Sequence, residues 1–215
     1  MAGTTVSDNN DVAKAFQKAF AKNNIDITAE NLNPLMGYHK PLAIQMVLEK
    51  HNINPNNKLI EKIHDDFETE MLDFYEYDSA VKPLPGAHEV FEYLKEKNIY
   101  VALNTGFSRD IAETIVNRFQ WLQKGLIDDF IGSNEVEKGR PYPFMIEQLM
   151  FNAGVDDPML VAKIGDTAVD IEEGKNAGCG YVIAITTGAY QYNDLKKLKP
   201  THLIHHLSQL PAILV

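Results

Sequence analysis

Asp166 and Asp170 stand four positions apart, directly after an apolar run at 160–164. Asp166 follows the run almost at once, and Asp170 lies where a helical pattern opens. Mg²⁺ takes one or two protein carboxylates and completes its shell with water and phosphate oxygens. A turn-forming aspartate and a carboxylate that favours a helix start are the alternative explanation. We predict that the two carboxylates face one Mg²⁺ ion.

Two further segments carry groups that suit a phosphoryl oxygen. Thr105 and Gly106 follow the apolar run at 100–103 and offer a hydroxyl and backbone N–H groups at the start of a helix. Arg140, in a Gly-Arg-Pro sequence, offers a planar fork that matches oxyanions. A capped helix start and a surface-loop arginine are the alternatives. Together the two segments predict a site for a phosphate-like group.

Alternating apolar runs and helical patterns predict the elements that would position these residues. Short strands are expected at 100–103, 130–131, 160–164 and 181–185, with a final strand and helix ending at Val215. Continuous apolar strands between helices are typical of a parallel sheet covered on both faces. Ligands of such sheets bind beyond the carboxyl ends of the strands. The predicted fold class is therefore α/β, with a Rossmann-like, doubly wound parallel sheet.

The residues between 11 and 78 show helical spacing instead of strands. The apolar residues that recur on this spacing are Val12, Ala15, Phe16, Ala19, Phe20, Leu42, Met46, Val47, Ile60, Ile63, Phe67, Met71 and Phe74. We predict a helical domain at 10–79, inserted into an α/β core domain formed by 1–9 and 80–215.

Composition narrows the class of protein. The chain has 215 residues, a net charge of −10 and one cysteine, Cys179. Nucleic-acid binding depends on Lys and Arg, so this charge argues against a nucleic-acid partner. No apolar run reaches the length of a membrane span, and the single cysteine fits a reducing compartment. We expect a cytoplasmic protein that acts on a small molecule and has no membrane partner.

Several other residues could suggest a site. We expect His202, His205 and His206 to be surface or strand-edge residues and not a metal cluster. Cys179 is expected to be a small buried hydrophobe, and Trp121 to pack or mark an interface. The pair at 172–173, two glutamates, is expected on a solvated helix face.

The order of these segments resembles the haloacid dehalogenase superfamily, and within it the phosphonatase-like branch, over Met1–Val215. The opening Met-Ala-Gly-Thr-Thr-Val is similar to the branch's Asp-x-Ala-Gly-Thr-Thr motif. Arg140 stands where most relatives use lysine. The sequence Met-Gly-Tyr-His-Lys, ending at Lys40, is similar to the motif of a cap domain whose lysine forms a Schiff base with the substrate.

The resemblance implies a role for each candidate. Lys40 would form an imine with a 2-oxoalkylphosphonate such as phosphonoacetaldehyde, and Thr105 and Arg140 would hold the phosphoryl group. The residues implied to bind or cover the substrate are Met36, Gly37, Gly106, Gly3 and Thr4. The Mg²⁺ ligands implied are Asp166, Asp170 and the Ala2 carbonyl. Relatives of this kind often pair through the cap, so a homodimer is expected.

The sequence departs from the branch in ways that leave alternatives open. The family's nucleophilic aspartate precedes the residue that matches Met1, so we expect roughly ten upstream residues that form a strand. Without them the centre of the sheet should contain a gap. Ala43 and Asn10 stand where phosphonoacetaldehyde enzymes have histidine and cysteine, and His39 could replace that histidine. A small-molecule phosphatase and a non-catalytic binding protein are the alternatives.

Overall fold

The computed structural model describes residues 1–214. Its five strands are β1 (Ala102–Thr105), β2 (Asp129–Gly132), β3 (Ala162–Gly165), β4 (Tyr181–Ile185) and β5 (His202–Ile204). All of the pairings between them are parallel: β1 with β2, and β3 with β4 with β5. Four consecutive residues of β4, at 182–185, are buried, as expected for a parallel strand covered on both faces. The predicted α/β class is confirmed.

Within residues 1–214, ten α-helices surround and precede the strands. The helices before β1 are α1 (Asp11–Lys22), α2 (Ala29–Leu32), α3 (Lys40–Lys50), α4 (Asn57–Tyr77) and α5 (Ala87–Glu96). The later helices are α6 (Arg109–Phe119), α7 (Phe144–Ala153), α8 (Ala168–Asn176), α9 (Tyr192–Lys197) and α10 (Pro211–Leu214). No described helix has both the length and the apolar character that a membrane crossing requires.

The helices α1 to α4 form an apolar layer that packs on α6 and on the loop after β1. No strand occurs between residues 11 and 78, as predicted. The Phe16 ring of α1 stacks on Phe67 of α4 with centroids 4.2 Å apart. Phe67 and Tyr75 of α4 also contact Phe107, which follows β1, at centroid distances of 6.4 and 5.7 Å. These contacts hold the helical layer over the carboxyl end of β1, while the exact domain boundary stays a prediction.

A gap divides the sheet between β1 and β3. Within residues 1–214, β1 pairs only with β2 and β3 only with β4, so the strands form two separate sheets. A cavity of about 510 Å³ lies between them. Apolar side chains from both sides line it, among them Val90, Phe91, Leu103, Ile146 and Ile164. The gap expected from the sequence is present.

The remaining differences from the predicted elements are local. The helix α9 was not predicted, because its sequence Tyr-Asn-Asp-Leu-Lys-Lys buries only Leu195 and so carries a weak apolar period. The strand β3 begins at Ala162, since Pro158–Leu160 forms a short 3₁₀ helix. The helix α8 begins three residues earlier than expected, directly after Thr167, whose backbone N–H donates to Asp170 Oδ2.

Candidate active site

A small cavity of about 40 Å³ lies beyond the carboxyl ends of β1 and β3. The loop after β1 contributes Thr105 and Gly106, and the loop after β3 contributes Asp166 and Asp170. The helical layer closes it from the other side. The lining residues are Met1, Ala2, Asp8, Val12, Met36, Gly37, Lys40, Thr105, Gly106, Phe107, Arg140, Asp166, Thr167, Asp170 and Ala189. The structure therefore brings most of the sequence-predicted residues into one enclosed site.

The two aspartates differ in their surroundings. Asp166 accepts hydrogen bonds from Thr4 Oγ1 at 2.7 Å and from the Ala189 amide at 3.0 Å. Burial, together with the negative charge of Asp170, raises the pKa of Asp166 to about 6. Burial would also raise the pKa of Asp170, but the charges of Arg140 and Lys163 hold it well below its ordinary value. Arg140 and Lys163 thus offset the negative charge of Asp170, whereas the charge of Asp166 is not offset in this way.

This donor set fits Mg²⁺. Two buried carboxylates face the cavity, and the raised pKa of Asp166 reflects a charge that a cation beside it would stabilise. The described residues contain no group of three or more His, Cys, Asp or Glu placed to hold a metal. Mg²⁺ differs from other metals in needing only one or two carboxylates, with water and phosphate completing its octahedron. Ala2 also lines the cavity, where its carbonyl could serve as a third ligand.

Arg140 is buried and held by several neighbours. Its Nη1 lies 2.8 Å from Asp170 Oδ1, and its Nη2 donates to the Asn104 carbonyl at 2.8 Å. Its Nε lies 3.2 Å from Glu173 Oε2, but the N–H does not point at that oxygen, so this is an ion pair without a hydrogen bond. The guanidinium is therefore fixed at the cavity wall, where a phosphoryl oxygen would bind.

Lys40 is the first residue of α3 and is only 3% exposed. Its Nζ lies over three aromatic rings, those of Phe16, Phe67 and Phe107, at 5.4, 5.9 and 5.0 Å from their centroids. Burial and the charge of Arg140 lower the pKa of Lys40 to about 7. A positive charge at a helix N-terminus is also unfavourable. The amine is thus close to half neutral near pH 7, as a nucleophile requires.

The loop before α3 reaches the core through glycines. Gly37 has a φ of +87°, and a Cβ there would lie 2.6 Å from Thr167 Oγ1. A Cβ on Gly106 would lie 2.4 Å from the Gly37 carbonyl oxygen. Two side chains cannot fit at this approach, so the sequence needs glycine on both sides. The contact places Met36 and Gly37 directly over the site and explains its small volume.

Two predicted substrate contacts are not supported by this geometry. Gly3 and Thr4 lie outside the cavity lining. The Gly3 amide donates to Val6, and a Cβ at Gly3 would lie 2.5 Å from Asp166 Oδ2. The Thr4 hydroxyl donates to Asp166. Thr4 therefore orients the Asp166 carboxylate, Gly3 leaves room for it, and neither residue lines the cavity.

Some residues of the site were missed or misjudged. Asp8 was not among the predicted site residues, yet it lines the cavity and caps α1 by accepting from the Asp11 amide at 2.7 Å. Glu173 is wholly buried and not solvated, whereas Glu172 beside it is exposed. Lys163, buried in β3, pairs with Asp170 and Glu173 at 3.1 and 2.6 Å. A lysine inside an apolar strand was the signal that could have revealed this network, because a buried charge needs a partner.

The three C-terminal histidines, Cys179 and Trp121 have the surroundings expected for them. His202, His205 and His206 are exposed. Cys179 is buried, and burial raises the pKa of its thiol to about 11. Trp121 is buried and donates from Nε1 to His88 Nε2 at 2.7 Å. His39 does not appear among the residues that line the cavity in the described part of the chain.

Comparisons with known proteins agree with this geometry. The family of haloacid dehalogenase-like hydrolases matches residues 1–184. A phosphonoacetaldehyde hydrolase from Bacillus mycoides is 31% identical over 203 residues, which cover 88% of this chain and 76% of that protein. A solved phosphonoacetaldehyde hydrolase like protein from Oleispira antarctica has a TM-score of 0.86 at 20% identity, covering 99% of this chain and 88% of that one. A solved structure described as a predicted phosphoglycolate phosphatase, from Haemophilus somnus, has a TM-score of 0.81 at 19% identity, covering 99% and 94%.

The structural neighbours share the fold, and the Bacillus protein shares close to a third of the aligned residues. The family match covers the loop after β1, the Arg140 loop and both aspartates, which meet at the cavity described above. The chain belongs to the haloacid dehalogenase-like hydrolase family.

Proposed function

We propose that the protein hydrolyses the carbon–phosphorus bond of a 2-oxoalkylphosphonate, such as phosphonoacetaldehyde, with Mg²⁺ as its cofactor. One observation carries this proposal: Lys40 lines the same cavity as Thr105, Arg140 and the two aspartates. A buried amine of lowered pKa beside a phosphoryl site is what imine chemistry needs. Hydrolysis of an ordinary phosphate ester needs no such amine, because its leaving oxygen requires only a proton.

Lys40 would supply the electron sink. Its neutral Nζ attacks the aldehyde carbon, and loss of water leaves a protonated imine. The aspartate nucleophile assigned below attacks phosphorus, and as the carbon–phosphorus bond breaks, its electron pair moves into this imine and forms an enamine. Water then hydrolyses the aspartyl phosphate, which releases inorganic phosphate and the free carboxylate. The enamine then takes a proton on carbon, and water releases acetaldehyde and the free Lys40 amine. The aromatic rings around Nζ keep bulk water away from the intermediate.

The core would hold the phosphoryl group during transfer. Thr105 and Arg140 line the cavity and would bind phosphoryl oxygens, Arg140 with a charge-assisted hydrogen bond. Asp166, Asp170 and the Ala2 carbonyl would hold Mg²⁺, which neutralises charge on the phosphoryl oxygens when bound. Thr4 and the Ala189 amide keep Asp166 directed into the site.

The nucleophile in this proposal is an aspartate directly before Met1, at the end of a strand that fills the gap between β1 and β3. The gap supports this assignment, because its apolar walls belong to the two strands between which a further parallel strand would pair. Met1 lines both the gap and the small cavity. A strand that runs through the gap would therefore deliver its last side chain to the phosphoryl site.

The intact mass of the protein from its natural source tests the strand. We expect a mass larger than that of Met1–Val215 by an apolar segment that ends in aspartate. A mass equal to that of Met1–Val215 would refute the assigned nucleophile and favour a non-catalytic binding protein.

Turnover tests the function. The natural protein should release acetaldehyde and inorganic phosphate from phosphonoacetaldehyde in the presence of Mg²⁺. The Lys40→Arg variant keeps the positive charge but forms no imine, so it should lose carbon–phosphorus cleavage. The fold likeness to a phosphoglycolate phosphatase favours a phosphatase as the second candidate. Rapid hydrolysis of phosphate esters, unaffected by Lys40→Arg, would support that candidate and refute the phosphonate proposal.

A further inference from the structure

A cluster of polar side chains contacts Arg140. It consists of Asn104 at β1, Lys163 at β3 and Glu173 on α8, and we call these three residues the Arg140 bracket. Among the described residues that line the small cavity, no member of the bracket is present. Asn104 and Lys163 come from strands on opposite sides of the gap. The bracket therefore joins the two sheets, and Asn104 and Lys163 also line the gap between them.

The bracket contacts the Arg140 guanidinium at Nη2 and at Nε. Arg140 Nη2 donates to the backbone carbonyl of Asn104 at 2.8 Å and to its Oδ1 at 3.0 Å. Glu173 Oε2 lies 3.2 Å from Nε. Asp170 Oδ1 lies 2.8 Å from Nη1 as an ion pair, and Arg140 lines the cavity in which a ligand would bind.

Glu173 in turn organises the bracket. Asn104 Nδ2 donates to both carboxylate oxygens of Glu173, at 2.9 and 3.0 Å. Glu173 Oε2 also lies 2.6 Å from Lys163 Nζ. Lys163 Nζ donates to Asn104 Oδ1 at 2.6 Å, so the three residues form a closed ring of contacts. The amide orientation of Asn104, with Oδ1 toward Arg140, follows from its donation to Glu173.

The burial of Glu173 is costly, since its side chain is fully removed from solvent. A buried carboxylate is retained only where partners compensate its desolvation, and a well-packed apolar residue is often as stable or more so. Pure stability therefore does not explain its presence. Holding a rotamer-rich arginine in one orientation does, because preorganised donors bind an oxyanion without an ordering cost at the moment of binding.

We infer that Glu173, with Asn104 and Lys163, is a positioning residue that fixes the Arg140 guanidinium for phosphoryl binding. The inference rests on the phosphoryl role of Arg140 in the proposed function. The effect that it predicts for loss of the Glu173 charge is opposite to the effect expected from charge alone. Through-space electrostatics alone says that removal of the Glu173 charge makes the site more positive and tightens anion binding. If Glu173 instead positions Arg140, removal of the Glu173 charge frees Arg140 and weakens anion binding.

The test measures the affinity of inorganic phosphate by isothermal titration calorimetry in buffer that contains magnesium chloride. Glu173→Gln should weaken phosphate binding roughly tenfold, the lower end of the effect of losing such a supporting contact. Glu172→Gln, which removes the same charge from the adjacent exposed position, should leave the affinity unchanged within about twofold. Unchanged or tighter binding in Glu173→Gln would overturn the inference.

A double-mutant cycle separates positioning from general disturbance. Arg140→Lys alone should weaken phosphate binding, and adding Glu173→Gln to it should cost less than about twofold more, because the residue to be positioned is gone. Additive losses would mean that Glu173 acts elsewhere and would overturn the inference. If Glu173→Gln does not fold, Glu173→Gln with Lys163→Met removes a matched pair of charges, and the same weakening is expected.

Failure of this inference can be told apart from failure of the proposed function. Phosphate binding that depends on Glu173 in a protein that cleaves no phosphonate would refute only the proposed reaction. Phosphonate cleavage with phosphate affinity independent of Glu173 would refute only the positioning role. A chain that binds no phosphate at all would overturn the phosphoryl site and the inference together.

Discussion

Replacement of Lys40 by methionine should stabilise the folded protein. Folding moves the amine into an apolar site, where its pKa falls from an ordinary value of 10.5 to about 7. Each unit of such a shift is worth about 1.4 kcal/mol, so the burial of Lys40 costs up to about 4 kcal/mol of folding free energy at pH 7. Methionine has a similar length and no charge, and it packs well against aromatic rings. We expect a gain of roughly 2–4 kcal/mol.

The gain should depend on pH with a defined sign. Between the folded pKa of about 7 and the unfolded value of 10.5, the unfolded chain binds more protons at Lys40 than the folded chain does. The stability of the unaltered protein therefore rises with pH through this window, and Lys40→Met lacks this contribution. The difference between the two proteins should be largest at pH 7 and below, and should approach zero near pH 10.

Urea denaturation at a series of pH values measures this difference. Lys62→Met, at an exposed position of α4, is the matched control and should change the free energy of unfolding by less than about 0.5 kcal/mol at every pH. A Lys40→Met protein that is less stable than the unaltered chain at pH 7 would refute the reasoning. So would a stabilisation that does not shrink as the pH rises.

Three other predictions follow from the site. Asp8→Asn keeps the cap of α1 but removes a charge that raises the pKa of Lys40, so the acid limb of the pH–rate profile should move to lower pH. Gly37→Ala should destabilise the protein by about 1–3 kcal/mol in urea denaturation, because alanine is strained at a φ of +87° and meets Thr167. Asp166→Asn removes a carboxylate of raised pKa, so the melting temperature without Mg²⁺ should rise while the further increase on adding Mg²⁺ disappears. An unchanged acid limb, an unchanged unfolding free energy and a retained Mg²⁺ response would contradict these three predictions in turn.

The apolar pattern was enough to predict the elements that form the core. β4 was predicted with its observed bounds because five apolar or aromatic residues form one run. The bounds of α7 were also predicted as observed. The pattern failed where little apolar surface is buried, as in α9, where only Leu195 is buried. The gap between β1 and β3 was predicted as well, because the resemblance to the superfamily implies a central strand before Met1.

The candidate site was predicted where polar residues directly follow strands. Thr105, Asp166 and Asp170 meet at one cavity because the carboxyl ends of β1 and β3 lie at the same edge. The sequence could not separate Glu173 from Glu172, since one residue along a helix turns a side chain by about 100° from solvent to core. The spacing also could not show that Thr4 donates to Asp166, a contact between residues 162 positions apart.

Borohydride trapping tests the central claim most directly. The natural protein is incubated with phosphonoacetaldehyde and sodium borohydride, and its peptides are mapped by mass spectrometry. If the buried amine forms an imine, a reduced adduct should appear on Lys40 and inactivate the protein, while the exposed Lys62 stays unmodified. Full activity with no adduct on Lys40 would contradict the Schiff-base account.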